Sequence, residues 1–368
     1  MSEKLRVAVI TEPTAWHLGA LIDALHNDEV GEVAVGDVTG GTFDEVREGA
    51  AGKVAAMYTD LDALYRDFDP QVALITMEPW RMPPVITQAL EAGAHVFHEK
   101  PGYVDIDDYR AIYRLAKSRN LHLSIAYISR AYPIVQEARR LIAEGFLGDL
   151  LSFQAWFVAD QERTIQNPAA RPQYDVAAGG WFFSKELGGG GHLTILGCHY
   201  LDLIRHIAGS DFKSVSALCR NVGGEAITVE DAAVVNLEFQ NGMVGNLNSG
   251  YYTSSAEYGS SRHNGLIIWG RDGWLKFNPN GEANQEPMQW ASYSGVQASA
   301  PLKSWTFDKA GALNNPYRVL TGEFFRACLG EGPPPIEPEA GMWVNEVTTA
   351  AYASSDSGQM LSVSIPEA

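Results

Sequence analysis

The stretch Gln88-Ala-Leu-Glu-Ala-Gly-Ala-His-Val-Phe-His-Glu-Lys-Pro101 carries the end of a helix, a strand and a charged turn in direct succession. Gly93 ends the helical pattern of residues 84–92, because glycine readily takes the left-handed conformation that closes a helix. Residues 95–98, His-Val-Phe-His, are predicted to form a short strand that has two apolar residues at its centre. Glu99 and Lys100 follow the strand, and strand ends line the ligand-binding edge of a parallel sheet. We therefore expect Lys100 to face a ligand.

The same strand–helix unit repeats on both sides of this stretch. Apolar runs predict strands at residues 6–11, 33–36, 71–76 and 122–126, and helical spacing predicts helices at 15–26, 61–68 and 107–118. Repeated strand–helix units joined by short turns predict an α/β fold with a doubly wound parallel sheet.

The pattern changes after about residue 130. It predicts a helix at 133–144 and longer strands at 150–158, 215–221, 232–239, 243–252, 265–269 and 274–277. The turn sequences Asn241-Gly242 and Arg271-Asp272-Gly273 predict hairpins. We expect a dinucleotide-binding domain in residues 1–126 and, in residues 127–368, an α+β domain with a large, open, mostly antiparallel sheet. The polar segment 281–315 is predicted to be an irregular excursion.

Composition narrows the class of protein. The 368 residues carry a formal net charge of −18, which disfavours a nucleic-acid partner. Cys198, Cys219 and Cys328 are too few and too widely spaced for a disulfide framework or a metal site, so we predict no metal. The first residues lack an apolar targeting run, and no stretch reaches the roughly 18 apolar residues of a membrane span. We expect a cytoplasmic protein without a membrane partner.

The usual dinucleotide fingerprint, G-x-G-x-x-G, is absent after the first strand, where Thr-Glu-Pro-Thr-Ala-Trp-His-Leu-Gly occupies residues 11–19. Backbone N–H groups and the Thr14 hydroxyl could still bind phosphates. Asp37 ends the second strand, where an acid meets the ribose 2′-hydroxyl and repels a 2′-phosphate. We therefore predict NAD as cofactor, and Thr39 leaves NADP as the less favoured option. The predicted cofactor-binding residues are Thr11, Glu12, Pro13, Thr14, Ala15, Trp16, Asp37, Thr76, Glu78, Pro79, Glu99 and Lys100.

Several short motifs follow one another along nearly the whole chain. Residues 89–101 match A-L-x-A-G-x-H-V followed by E-K-P, and Arg130 and Pro133 give R-x-x-P. Four further motifs follow: G-x-x-G at 145–148, Trp181 before the glycines 188–191, G-x-H-x-x-D at 197–202, and phenylalanines 324–325 before a glycine–proline turn. In this combination the chain resembles the glucose–fructose oxidoreductase/inositol dehydrogenase (Gfo/Idh/MocA) family.

The resemblance implies a Rossmann domain followed by a domain with a large open sheet through which dimers or tetramers pack. It also implies NAD(P)-dependent oxidation or reduction of sugars, polyols or their derivatives. By this likeness Lys100 orients the substrate and His199 is the acid/base. Besides the missing glycine loop, Ile195 stands where the family usually has an aspartate that orients the histidine. His192 or Thr194 could supply a polar group instead.

Hydride leaves a carbinol carbon only as its hydroxyl proton is taken, so a base must lie within hydrogen-bond reach. Histidine suits this role near neutral pH, and lysine does so with a lowered pKa. We predict His199 as the base and Lys100 as the group that clamps the hydroxyl, with the reverse assignment open. Segment 160–187 is expected to shape the substrate pocket. The predicted substrate-binding residues are Lys100, Tyr127, Arg130, Arg163, Arg171, Trp181, Lys185, His192, Ile195 and His199.

Three functions are compatible with these residues. The first is an NAD-dependent sugar or polyol dehydrogenase. The second is a redox-neutral NAD-dependent glycosidase, which oxidises, eliminates, hydrates and reduces, acting for example on an acidic glycoside such as a sulfoquinovoside. It needs an additional base, for which Tyr127, His192 and His199 are candidates. The third is a non-catalytic sensor that kept the fold.

Overall fold

The structure is a computed structural model that describes residues 4–160, 175–253, 262–279, 287–299, 302–305 and 315–367. Arg163 and Arg171, two of the predicted substrate-binding residues, lie outside this described part. Within it, no helix combines the length and the apolar character that a membrane span requires.

The first half folds as a six-stranded parallel sheet. Its strands are β1 (Leu5–Ile10), β2 (Val30–Gly36), β3 (Val54–Tyr58), β4 (Val72–Ile75), β5 (His95–His98) and β6 (Leu123–Ile125). The connecting helices are α1 (Leu18–Ala24), α2 (Phe43–Gly49), α3 (Leu61–Phe68), α4 (Met82–Glu91) and α5 (Ile106–Ser118). The strand order is β3-β2-β1-β4-β5-β6, so the direction of winding reverses between β1 and β4. The doubly wound parallel sheet is confirmed.

Strand β3 was missed because it is an edge strand. Its residues alternate between half-buried and exposed and include two alanines, so they lack the continuous apolar run that identifies a central parallel strand. β1 and β4 lie inside the sheet and are almost fully buried, which is why their sequences predicted them correctly.

The second half forms a nine-stranded sheet. Its strands are β7 (Leu150–Asp160), β8 (Phe212–Arg220), β9 (Ala232–Phe239), β10 (Val244–Thr253), β11 (Arg262–Gly270), β12 (Gly273–Phe277), β13 (Met288–Ser292), β14 (Leu302–Trp305) and β15 (Leu361–Ser362). Both predicted hairpins form, as β9–β10 and β11–β12. The pairing of β10 with β7 is parallel, and the other pairs are antiparallel. The irregular excursion predicted at 281–315 is wrong in part, because β13 and β14 extend the sheet there.

The remaining helices of the second half are α6 (Pro133–Ala143), α7 (Lys185–Gly188), α8 (Cys198–Ala208), α9 (Pro316–Cys328) and α10 (Pro338–Ser357). The last two return to the first half: α9 packs against α1, and α10 packs against α5 as well as β8. Arg110 on α5 donates two hydrogen bonds to Glu346 on α10, at 2.6 and 2.7 Å. These contacts tie the second half of the chain to the helices that cover the first sheet.

His98, the last residue of β5, is fully buried in its neutral form. Its Nδ1–H donates to the Glu99 carbonyl oxygen at 2.7 Å, and its Nε2 accepts from the Tyr109 hydroxyl at 3.1 Å. Burial lowers the pKa of His98 from 6.5 to about 4, because water no longer solvates the imidazolium.

Acid should therefore destabilise the fold through His98. Between pH 6.5 and 4 the unfolded chain binds a proton at this residue and the folded chain does not, so stability falls as pH falls through this window. The loss amounts to about 3 kcal/mol when the window is crossed completely. Urea unfolding at several pH values should show a shallower acid loss in His98→Gln than in the wild type. The control variant His26→Gln, at a partly exposed histidine, should keep the wild-type dependence. An equally steep loss in His98→Gln would contradict the assignment.

Candidate active site

Lys100 reaches from the first sheet into the second half of the chain. Its side chain is buried, with 6% of the residue exposed. The ammonium donates a hydrogen bond to the carbonyl oxygen of Ile195 at 2.8 Å and lies 5.6 Å from the centre of the Trp16 ring. Burying an ammonium is costly unless it is paired or hydrogen-bonded. The carbonyl and the aromatic face help to meet that requirement.

The acceptor of this bond belongs to an unusual helical turn. Residues Leu193–Gly197 form a π-helix that continues directly into α8. π-turns inside helices disturb the regular backbone ladder and occur frequently at functional sites. At position 195, where the family usually has an aspartate, the chain presents the backbone carbonyl to Lys100. The isoleucine side chain itself is fully buried, so it contributes packing and its carbonyl contributes the polar contact.

His199 lies about one helical turn after Ile195. The Lys100 ammonium is therefore hydrogen-bonded to the turn that precedes His199. The His199 ring is half-buried and lies edge-on to Tyr127, with ring centres 6.1 Å apart. The structure therefore joins Lys100 to Ile195 and Tyr127 to His199, on successive turns of the same helical segment.

Tyr127 does not suit the role of an additional base. Its residue is 0% exposed, and its hydroxyl has no hydrogen-bond partner among the described residues. Burial raises its pKa well above 10, so the phenol holds its proton. What Tyr127 provides is a packed wall behind the His199 ring.

His192 is likewise enclosed. It is 0% exposed, and its Nδ1 lies 2.6 Å from the Ser249 hydroxyl. The ring also packs edge-on against Tyr251 and Phe157, at 4.5 and 5.0 Å between centres. His192 is therefore placed to fix the helix start against β10 and β7.

Glu230 holds the same helix start from the other side. Its carboxylate accepts the N–H groups of Gly191 and Leu193, each at 2.9 Å, and the Tyr352 hydroxyl, also at 2.9 Å. Burial raises the pKa of Glu230, and these bonds counteract the rise. A Cβ atom at Gly191 would lie 2.0 Å from the Glu230 carbonyl oxygen, so only glycine fits there. Glu230, which the sequence analysis missed, thus fixes the turn that carries Ile195 and His199.

The aromatic wall of the site joins both halves of the chain. The Trp16 ring lies 5.2 Å from Trp181 and 4.6 Å from Phe182, measured between ring centres. Trp181 is 5% exposed, and its indole N–H is buried with no acceptor among the described residues. Lys185, at the start of α7, has an exposed side chain. Trp181 thus lines the Lys100 region through Trp16, while no described contact brings Lys185 there.

Arg130 has a different environment from the one predicted. Its guanidinium donates to both carboxylate oxygens of Asp202, at 2.5 and 2.9 Å, and to the Pro335 carbonyl. Their side chains are 9% and 0% exposed. A guanidinium committed in this way joins α8 to neighbouring segments, so the expected substrate role of Arg130 is not supported by its contacts.

Breaking this pair should cost stability. Arg130→Met leaves the Asp202 carboxylate buried without its partner, and losing one member of a buried pair costs about 3–5 kcal/mol. Urea unfolding measures this loss. The matched control is Arg140→Met, whose exposed pairs with Glu137 and Glu144 are worth less than about 1 kcal/mol. Equal stabilities of the two variants would contradict the structural role of Arg130.

Side-chain hydrogen bonds hold the loop after β1, at the position where Rossmann domains usually have a glycine-rich loop. The Glu12 carboxylate accepts the Glu78 N–H at 2.7 Å and the Arg81 guanidinium at 2.5 Å. The Thr14 hydroxyl donates to Glu78 at 3.1 Å, and the Thr76 hydroxyl donates to the Trp16 carbonyl. The predicted cofactor-binding residues of β1 and β4 are thus neighbours at one edge.

The remaining predicted residues lie at the same edge. A Cβ atom at Gly41 would lie 2.7 Å from the Pro13 ring, so the loops after β1 and β2 are in close contact. Ala15 closes a turn onto the Glu12 carbonyl, and Pro79 starts the short helix Pro79–Arg81.

Asp37 differs from its prediction. Both of its carboxylate oxygens are occupied, by the N–H and hydroxyl groups of Thr39 and Thr42 at 2.8 to 2.9 Å, and the residue is 1% exposed. Burial raises its pKa, but these four bonds outweigh burial and leave the pKa below 3.8. Asp37 therefore shapes the loop after β2, and direct binding of a ribose hydroxyl by its carboxylate is not supported by this geometry. Its negative charge still opposes a 2′-phosphate.

The chemistry of this edge nevertheless fits a dinucleotide. The sheet reverses its winding between β1 and β4, which is where dinucleotides bind in such sheets. The Thr11 hydroxyl at the end of β1 is buried without a partner among the described residues, and Arg81 is partly exposed beside it in the Glu12 network. Thr11, Thr14 and Arg81 are hydrogen-bond donors of the kind that phosphates and ribose accept.

Glu99 links this edge to the end of the chain. It is 3% exposed, and one oxygen accepts the Tyr317 hydroxyl at 2.5 Å and lies 3.2 Å from Nδ1 of His17. Burial raises its pKa, but His17, Lys100 and Tyr317 together lower it below 4.5. Sequence analysis missed His17 and Tyr317. His17 carried one signal, since it stands within the loop that replaces the glycines, whereas Tyr317 is distant in sequence and gave none.

Comparison with known proteins agrees with this geometry. The "Oxidoreductase family, NAD-binding Rossmann fold" matches residues 14–127, and the "GFO/IDH/MocA C-terminal domain" matches residues 135–276. The chain belongs to the Gfo/Idh/MocA family. Its amino-terminal domain is accordingly a Rossmann domain that binds NAD.

Among curated proteins, levoglucosan dehydrogenase of Pseudarthrobacter phenanthrenivorans is 27% identical over 212 residues, 52% of this chain and 50% of that protein. D-xylose dehydrogenase of Paenarthrobacter nicotinovorans is 30% identical over 172 residues, 45% of this chain and 40% of that protein. The chain thus aligns with about half the length, or less, of these two relatives.

Solved structures share the whole architecture. Levoglucosan dehydrogenase in complex with NADH and levoglucosan has a TM-score of 0.82 at 19% identity, covering 98% of this chain and 100% of that one. The WlbA dehydrogenase from Bordetella pertussis, in complex with NADH and UDP-GlcNAcA, has a TM-score of 0.79 at 18% identity, with 100% and 99% covered. At these identities the likeness concerns the fold.

Proposed function

We propose that this member of the family is an NAD-dependent dehydrogenase or reductase of a sugar, polyol or sugar derivative. The observation that carries the proposal is the hydrogen bond from the Lys100 ammonium to the Ile195 carbonyl, one turn before His199, at the carboxyl end of an NAD-binding sheet. An ammonium and an imidazole held at successive turns of one helical segment would suit a carbinol, whose oxygen is clamped while its proton is removed.

Bound NAD supplies the hydride acceptor. The chain's own residues do the rest: Lys100 exchanges its bond to Ile195 for one to the reacting hydroxyl, and His199 takes the hydroxyl proton. Glu230 keeps the turn that carries His199 in place, and Trp16 with Trp181 offers an apolar face for the ring carbons of a sugar. The dehydrogenases of levoglucosan and D-xylose among the relatives support both compounds as first substrates to try.

The redox-neutral glycosidase receives less support from the described residues. This reaction requires a further base, which removes a proton from the carbon next to the ketone that the oxidation step forms. Tyr127 and His192 are both 0% exposed, so only His199 of the three candidates remains placed for proton transfer.

Absorbance at 340 nm tests the proposal. Wild-type enzyme with NAD and a panel of free sugars, polyols and anhydrosugars is expected to accumulate NADH with at least one of them. Release of an aglycone from a glycoside with no net change at 340 nm would favour the glycosidase, and inactivity with both groups of compounds would contradict the proposal.

We also propose that the chain forms a homodimer or homotetramer through the uncovered face of the nine-stranded sheet. Strand register places Leu218, Val234, Asn248 and Trp156 in one row across that face. Leu218 and Val234 are 60% and 42% exposed, and apolar side chains in such a row are typical of an interface. Light scattering coupled to gel filtration measures the mass, and a monomer at micromolar concentration would contradict this.

A further inference from the structure

Two buried carboxylates at the NAD-binding edge each hold a base that is partly exposed. Glu12 follows β1 and Glu99 follows β5, and these residues are 2% and 3% exposed. Glu12 pairs with Arg81 at 2.5 Å, and Glu99 lies 3.2 Å from His17. The Arg81 and His17 side chains remain 39% and 38% exposed. Each acid is therefore inside, and each base lies between the acid and solvent.

His17 is held in an unusual conformation. Its φ of 62° lies in the left-handed region, which a residue other than glycine occupies only at a cost in energy. The Tyr317 hydroxyl donates to Glu99 and lies 2.9 Å from Nδ1 of His17, so the inner edge of the imidazole is fixed. Nε2 lies on the opposite edge of the ring, and no hydrogen bond within the described residues uses it. The ring is thus anchored on one side and available on the other.

Arg81 shows the same arrangement. Its contact with Glu12 uses Nη1, and its guanidinium lies 5.2 Å from the centre of the Trp80 ring. A guanidinium has five N–H donors, so most of them are left for another acceptor. Glu12 is itself fixed by the Glu78 N–H at 2.7 Å, so the guanidinium has a defined position.

The two bases lie on either side of the point at which the sheet reverses its winding. His17 belongs to the connection after β1, Arg81 follows β4, and these two strands are hydrogen-bonded neighbours. The diphosphate of a dinucleotide lies in the crevice at such a point. It normally meets backbone amides of a glycine-rich loop there, and this chain has Glu12 and Pro13 in that loop instead.

We infer that Arg81 and His17 bind the diphosphate of NAD in place of the missing glycine loop, and that Glu12, Glu99 and Tyr317 position them. The inference rests on the NAD-binding assignment and adds the residues that make it possible. Charge-assisted hydrogen bonds to phosphate are stronger than neutral ones, so the Arg81 guanidinium, together with the His17 ring when it carries a proton on Nε2, can replace several amide contacts. Because Glu99 precedes Lys100, the network that holds His17 also adjoins the catalytic lysine.

Binding of NADH and ADP-ribose to the purified full-length protein tests the inference without turnover. Arg81→Met and His17→Ala are each expected to weaken both ligands about 10- to 100-fold. Arg81→Met should also reduce the dependence of the dissociation constant on salt, because it removes a permanent charge that meets the diphosphate. Arg114→Ala and His26→Ala are the matched controls, and their affinities should equal those of the wild type.

A double variant guards against misfolding. Arg81→Met with Glu12→Gln removes both charges and leaves no buried carboxylate unpaired, and it should lose the same NADH affinity as Arg81→Met alone. Unchanged affinity in the Arg81 and His17 variants, or weaker affinity of Arg81→Met with the wild-type salt dependence, would overturn the inference. Absence of NADH binding by the wild type would instead overturn the cofactor assignment on which it rests.

Discussion

Lys100→Met should lower kcat by about 10³-fold or more while the protein still folds and binds NADH. Removal of a group that polarises the reacting oxygen costs about 10²–10³-fold, and loss of its help in proton transfer adds to this. Methionine keeps most of the buried aliphatic volume of Lys100. It leaves the Ile195 carbonyl without its donor, which costs about 1–3 kcal/mol of stability.

The readout is hydride transfer in a single turnover, followed at 340 nm with saturating NAD and substrate, beside the NADH dissociation constant. Lys213→Met, at an exposed lysine on β8 that pairs with Glu238, is the matched control and should behave as wild type. A Lys100→Met enzyme with wild-type single-turnover rates would remove Lys100 from the mechanism.

His199→Gln should lower kcat by about 10²–10⁴-fold, which is the usual contribution of a positioned acid or base. The variant should also lose the limb of the kcat/KM profile that reports ionisation of the base in the free enzyme. Glutamine can hydrogen-bond to the substrate oxygen but cannot take its proton, so the expected loss falls mainly on kcat. His26→Gln is again the matched control.

The pH profile also separates the two possible assignments. If His199→Gln keeps the wild-type limb and a conservative Lys100→Arg variant shifts it, Lys100 is the base and His199 positions the hydroxyl. Retention of both the rate and the limb in His199→Gln would exclude His199 from proton transfer.

The central elements of the fold could be predicted from sequence because their patterns are local. A buried parallel strand such as β4 is apolar throughout, and α3 begins at the residue after its Asp60 cap and ends where predicted. Strand β3, at the edge, and strands β13 and β14, within a polar segment, gave no such signal. Their stability comes from pairing with strands that are distant in sequence.

The sequence could predict which residues stand at the ends of strands and in motifs, but it could not predict the partners of those residues. Lys100 and His199 were chosen by motif, and their catalytic roles stay predictions; the structure shows that Lys100 is bonded to the carbonyl of Ile195, four residues before His199. Arg130 was predicted to bind substrate because sequence cannot show that Asp202 occupies its guanidinium. Asp37 was placed on a ribose because the bonds it accepts from Thr39 and Thr42 appear only in three dimensions.

The return of α9 and α10 to the first sheet has a consequence for recombination within the family. Consider a chimaera in which residues 1–126 are replaced by the NAD-binding domain of another protein. It would lose the packing of α9 and α10 against α1 and α5, and also the Arg110–Glu346 pair. Exchange of cofactor preference by swapping halves would therefore need to carry residues 316–357 together with the first 126. The segments that have to be exchanged together are therefore not contiguous in the sequence.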